Sequence, residues 1–251
     1  MEQLTALEQQ ESQVASVTCH NHDHELRIGE ELLQALFDGF NQIGPLTLTS
    51  KNEVQFAWLL LLARSTHSML CSQRLMKTGY YSQALALLRT VTEDWLISED
   101  CVKTPATLEA LLHRKNDKLG GYKAMATRVG ALEAYDDFDQ QSVFVHSRPL
   151  SLRVLISPET HNLTTAPVYN KLLFLSCCES MLKYATKMLL LMSRVISQLV
   201  PDRLAGWKQR TAYPVDNAAD WLTQIKAQYE DVGRLDAPTR DDPTGDSPST
   251  S

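Results

Sequence analysis

The chain has 251 residues, 43% of them hydrophobic and 22% charged, with a formal net charge of -6 and a pI near 5.6. That balance excludes wholesale disorder and a fibrous chain, and it lacks the basic excess of most nucleic-acid binders. The length suits one large domain whose core needs no covalent staples.

Five cysteines, an odd number with Cys177 and Cys178 adjacent, do not make a disulfide framework. The start Met-Glu-Gln-Leu-Thr carries no signal or transit pattern, and no apolar run reaches the roughly 20 residues that span a bilayer. The expected compartment is therefore the cytoplasm, without a membrane segment.

Residues 1–23 read as a polar arm, a weak helix over about Glu2–Val17 followed by a polar loop through Cys19–His24. The helical domain spans 24–231. Its first helix, about His24–Asn41, recurs apolar at Leu26, Leu33, Leu36, Phe37 and Phe40 and stops at Gly44-Pro45. Ser50 and Glu53 have capping-box spacing, which predicts a long helix to about Lys77, ended by Gly79. Another follows over about Tyr81–Val102, and Thr104-Pro105 opens the next. Gly120-Gly121 and Gly130 divide the following stretch, and Ala131 to about Val145 is helical up to Pro149. Around 150–167, Leu152, Val154 and Ile156 alternate with polar residues between prolines, which predicts a short hairpin or loop. A second long helix covers about Val168–Val200, and a short one covers Asn217–Gln228 around Trp221 and Ile225. Residues 232–251, rich in Pro, Asp, Ser and Thr, read as a disordered tail. The fold class is all-α, a single multi-helix bundle with two long central helices.

Three groups of polar residues stand out in that frame. On a helical wheel of 81–102 centred on Leu88, Arg89 and Glu93 fall between apolar neighbours, and the solvated stripe goes to Gln83, Thr90 and Asp94. Each charge of a partly buried pair needs a partner, so Arg89 is expected to bond Glu93. Arg64, His67, Cys71 and Arg74 share one helix face, which could hold an anion or could be a boundary where arginine stems cover apolar surface. His146, Ser147 and Arg148 lie where a helix ends, a place that favours cationic groups and could complete a pocket with Arg89 and Glu93. The run Cys19-His20-Asn21-His22-Asp23-His24 suggests a metal site, but consecutive residues cannot close a tetrahedron, so no metal and no cofactor is expected. Phosphate-loop, dinucleotide, nucleophile-elbow and zinc-protease motifs are all missing.

The stretch Leu75–Glu93, with Gly79 before an Ala-rich helix bearing Arg89 and Glu93, and then Val145-His146-Ser147, resembles a family of uncharacterised bacterial helical proteins catalogued as a domain of unknown function. That family is distantly similar in plan to the HEPN domains, many of which are metal-independent ribonucleases of toxin and phage-defence systems. Their usual signature is an Arg five to seven residues before a His. No histidine of this chain has one. The resemblance implies a self-associating helical module, or one with a protein partner, in a bacterial stress or defence setting. The alternative it implies is an RNA-cleaving or other phosphoryl-transfer enzyme. There His146 would act as acid or base, Arg89 or Arg148 would stabilise phosphate charge, and Glu93 would orient one of them. Arg64, His67, Ser147 and Arg148 are the further binding candidates.

Overall fold

A computed structural model describes residues 2–113, 121–145 and 167–235. In chain order its helices are α1 (Glu2–Ile43), α2 (Glu53–Lys77), α3 (Tyr81–Lys103), α4 (Pro105–His113), α5 (Tyr122–Val129), α6 (Leu132–Val145), α7 (Lys171–Leu199), a 3₁₀ turn at Pro201–Arg203 and α8 (Leu204–Leu235). There is no strand among the described residues. None of these helices is long and apolar enough to cross a membrane.

Helix α7 dictates the arrangement. Of its 29 residues 14 are buried, from Phe174 to Ile196, too many for one apolar stripe. A helix apolar on most sides must be enclosed. Accordingly α1, α2, α3 and α8 all pack against it. Burying a Leu, Met or Phe side chain is worth about 1.5–3 kcal/mol, so this one helix anchors much of the core. Helix α3 is the second hub, touching α2, α4, α5, α6 and α7. Trp58 Nε1 donates to the Ser98 carbonyl at 2.9 Å and Ser72 Oγ to that of Ala84 at 3.1 Å, which sets α2 antiparallel to α3.

Two glycines let α1 approach α7. A Cβ on Gly39 would stand 2.5 Å from Met192 Cγ, and one on Gly29 would overlap Met181 Cε. The turn between α2 and α3 is the predicted one. Gly79 has φ +91, Tyr80 N–H reaches the Leu75 carbonyl at 2.9 Å and Gly79 N–H that of Met76 at 3.3 Å.

Three expectations are corrected. Residues 19–24 are not a loop: α1 runs through them, leaving helical geometry only at His22 (φ -136, ψ 30), because Thr18 and His22 are buried against the bundle and hold the chain helical on either side. The capping box does not form. Asn52 Oδ1 accepts from Thr49 N–H at 2.7 Å and its Nδ2 donates to the Thr47 carbonyl at 2.9 Å, so Ser50 lies within a turn and the helix starts at Glu53 without a side-chain cap. The terminal helix is longer than Asn217–Gln228. Trp207, Thr211, Pro214, Ala218, Trp221 and Ile225 are buried at spacings of four and three, a continuous seam that tertiary packing keeps helical despite Pro214.

Helix α8 continues to Leu235, into the stretch expected as tail, and 236–251 lie outside the described residues. The expected hairpin or loop at 150–167 also lies outside them, apart from Pro167. All five cysteines are free thiols, with Cys101, Cys177 and Cys178 buried.

Gly39→Ala tests the α1–α7 approach. Alanine is favoured over glycine in a helix by about 1 kcal/mol. The overlap with Met192 Cγ, which is near the backbone and cannot swing away, should reverse that sign and destabilise by about 1–3 kcal/mol. In chemical denaturation, Met192→Ala added to Gly39→Ala should cost less than the sum of the single changes.

Candidate functional site

The conspicuous polar groups of α3 divide between two neighbours. Towards α2, Asp94 is fully buried and accepts from Arg64 through Nε (2.9 and 3.1 Å) and Nη2, and from Ser65 Oγ at 2.8 Å. Burial pushes the Asp94 carboxyl up and the Arg64 and Ser65 bonds oppose it, while the Asp94 bond raises the Arg64 guanidinium further. Asp94 was expected on the wet stripe. The correction has a plain cause: α2 covers that side of α3, and Arg64 brings the matching charge from 30 positions upstream.

Towards α6, Arg89 does not bond Glu93 as expected. Its Nε donates to Ser142 Oγ at 2.8 Å and its guanidinium lies 4.2 Å from the centroid of Phe138, because antiparallel α6 passes beneath it. Glu93 faces Tyr122 of α5, whose phenol is pushed up by burial and then by that carboxylate. Arg89 and Glu93 are both half-buried. His146, Ser147 and Arg148 lie outside the described residues, four and more positions beyond Ser142.

The third group shares an exposed face, as its spacing indicates. Arg64, His67, Cys71 and Arg74 are all exposed on α2. His67 Nδ1 contacts the Ala63 carbonyl at 2.8 Å, a bond that makes it the donor. With Arg64 engaged by Asp94, this is the boundary arrangement in which a long stem covers apolar surface while its head group stays wet on one side.

The structure also shows a polar cleft that sequence reasoning missed. Helices α6 and α7 are joined across α3 by side chains rather than by close backbone packing. Gln141 donates to Ser180 Oγ and accepts from Thr92 Oγ1 at 3.0 Å. Asp137 accepts from Lys183 Nζ at 2.5 Å and from the Tyr184 phenol at 2.6 Å. Lys187 Nζ stands 3.9 Å from the Trp95 ring centroid and 3.5 Å from Glu133 Oε1. It is buried without a hydrogen-bond partner, and burial, with Lys183 nearby, lowers its pKa. Leu85, Gln140, Phe144 and Glu179 border a hollow of about 130 Å³ at one end. A signal was present: Ser176, Ser180, Lys183, Lys187 and Arg194 recur at helical spacing through an otherwise apolar helix.

Asp100 is a second fully buried carboxylate. Arg128 holds it through two bonds of 2.8 and 2.7 Å, joined by Thr107 at 2.6 Å and Thr104 at 3.2 Å. Burial alone would raise its pKa, but these four bonds outweigh burial and the net shift is downward. The network ties the end of α3 to α4 and α5. Among the described residues no group of three or more His, Cys, Asp or Glu could hold a metal ion. Comparison of the chain with protein-family models, curated proteins and solved structures finds no match.

The Arg64–Asp94 pair gives an asymmetric prediction. Arg64→Ala strands a fully buried carboxylate with only Ser65 and should destabilise by about 3–5 kcal/mol. Asp94→Ala leaves an arginine that is half exposed and can turn to water, so its cost should be lower, about 1–3 kcal/mol. Urea denaturation of the two variants measures the difference.

Proposed function

We propose that the protein is a self-associating helical interaction module rather than an enzyme working through Arg89 and Glu93. The observation that carries this reading is the engagement of Arg89. Its Nε bonds Ser142 and its face covers Phe138, so the group cast as a phosphate clamp is spent on holding α6 to α3. The same use of charge recurs at Asp94 and Asp100, each joining two or more helices.

Self-association has support of its own. Leu190 of α7 is 59% exposed and lines a hollow with Trp95, Ala131 and Glu133. An exposed leucine at the mouth of a hollow offers a second copy of the chain something to cover. A place in a bacterial stress or phage-defence system comes from the family resemblance.

The ribonuclease alternative keeps one supporting feature. The Arg89–Ser142 bond holds the last turn of α6 against α3, and His146 follows that turn directly in the chain.

Two measurements on the purified chain separate the readings. Sedimentation should show a dimer or larger species that Leu190→Asp converts to monomer. Incubation with single-stranded RNA in excess chelator should give no cleavage beyond that of His146→Ala. RNA cleavage lost in His146→Ala at unchanged thermal midpoint would establish the enzyme instead, and a wild-type monomer at high concentration would remove the module.

A further inference from the structure

Helix α1 is 42 residues long and has one break in its helical geometry, at His22. The imidazole there is buried, with 4% exposure. It stacks on Phe174 of α7 at 4.2 Å between centroids, and its Nε2 meets the Tyr169 hydroxyl at 2.8 Å. Its Nδ1 has no hydrogen-bond partner and stands 3.7 Å from Glu25 Oε1. That oxygen already accepts from Trp221 Nε1 of α8 at 3.3 Å. His22 is thus where α1, the entry to α7 and, through Glu25, α8 meet.

Beyond this point the arm is lightly held. Between residues 4 and 21 only Val14 and Thr18 are buried. Long-range bonds of this stretch include Tyr80 hydroxyl to Glu11 Oε1 at 2.6 Å and Gln10 Nε2 to the Pro167 carbonyl at 3.2 Å. A helix with so little buried surface opens at a small fraction of the global unfolding free energy.

We propose that His22 is a proton-operated hinge: protonating its ring loosens residues 2–21 from the bundle while α7 and α3 stay packed. A neutral ring suits the site, since one nitrogen pairs with Tyr169 and the other, unprotonated, needs no donor's partner. A second ring proton makes Nδ1 a donor with only Glu25 near it, and Glu25 must then leave Trp221 or share its oxygen.

The groups facing the ring are Glu25 on α1, Tyr169 and Lys171 at the entry to α7, and Phe174 beneath it. Further back, Cys178 of α7 lies near Glu25, and Tyr81 of α3 lies near Tyr169. Trp221 from α8 is not titratable. Burial lowers the His22 pKa most, Glu25 opposes it and Lys171 adds to it, so the net shift is down from 6.5. The docked arm is therefore fully favoured above the unfolded value of about 6.5 and is lost progressively as pH falls through the lower folded value.

Hydrogen exchange on the full chain, corrected for intrinsic rates, tests the hinge. From about pH 7.5 to about pH 5, amides 2–21 should lose protection by about ten-fold or more while α7 keeps its own. His22→Phe, which retains the stack and cannot titrate, should abolish the pH response. Lys171 is exposed, so Lys171→Gln should fold normally, and by removing a like charge it should move the midpoint to higher pH. The proposal is overturned if arm and α7 lose protection together, if the arm is unprotected at about pH 7.5, or if Lys171→Gln leaves the midpoint in place. It also fails if the response survives His22→Phe, and its disappearance in His24→Asn would then assign it to that neighbour.

Discussion

The burial of α7 is the constraint on which the rest of this structure depends. A helix with Phe174, Cys177, Cys178, Met181, Tyr184, Met188, Met192 and Ile196 all buried keeps only a narrow solvated strip, at Leu190 and Arg194. It must be walled by α1, α2, α3 and α8 before the chain gains enough burial to offset ordering it. Met181 and Met192 fit the gaps left where Gly29 and Gly39 bring α1 close. Burial also silences the two adjacent thiols, since it raises the pKa of both Cys177 and Cys178.

Once that core is closed, the polar groups of α3 have little freedom. Asp94 and Asp100 lie six positions apart on a helix wrapped by neighbours, and neither can reach water. Each is met by an arginine from another helix, Arg64 and Arg128, whose long stem remains partly exposed. Ion pairs of this kind add little net stability over apolar packing, but an unmatched partner is costly, so they discriminate against wrong helix registers. Arg89 plays the same part against α6 with a hydroxyl and an aromatic ring in place of a carboxylate.

Much of this fold is legible along the chain, for local reasons. Gly79 ends α2 because the left-handed residue of a Schellman turn is read from one position, and the limits of α3, α6 and α7 follow from periodicity and prolines in the same way. What was not legible depends on partners distant in sequence. Pro214 hides a helix whose seam from Trp207 to Ile225 is held by α1 and α7, as when Trp207 Nε1 donates to the Ala35 carbonyl. The polar run at Cys19–His24 reads as a loop until Phe174 and Tyr169 cover His22. A wheel of α3 alone sends Asp94 to water, since it contains no information about Arg64. The site candidates show the same limit: Arg89 was rightly singled out as half-buried, but its partner, Ser142, lies 53 residues away.

Native-state hydrogen exchange under increasing denaturant tests the central claim most directly. If α7 is the element that the others enclose, its amides from Phe174 to Ile196 should exchange only by global unfolding, together with those of α3, while α4 and α5 open at lower free energy. Exchange of α7 through an opening that leaves α4 and α5 protected would contradict it.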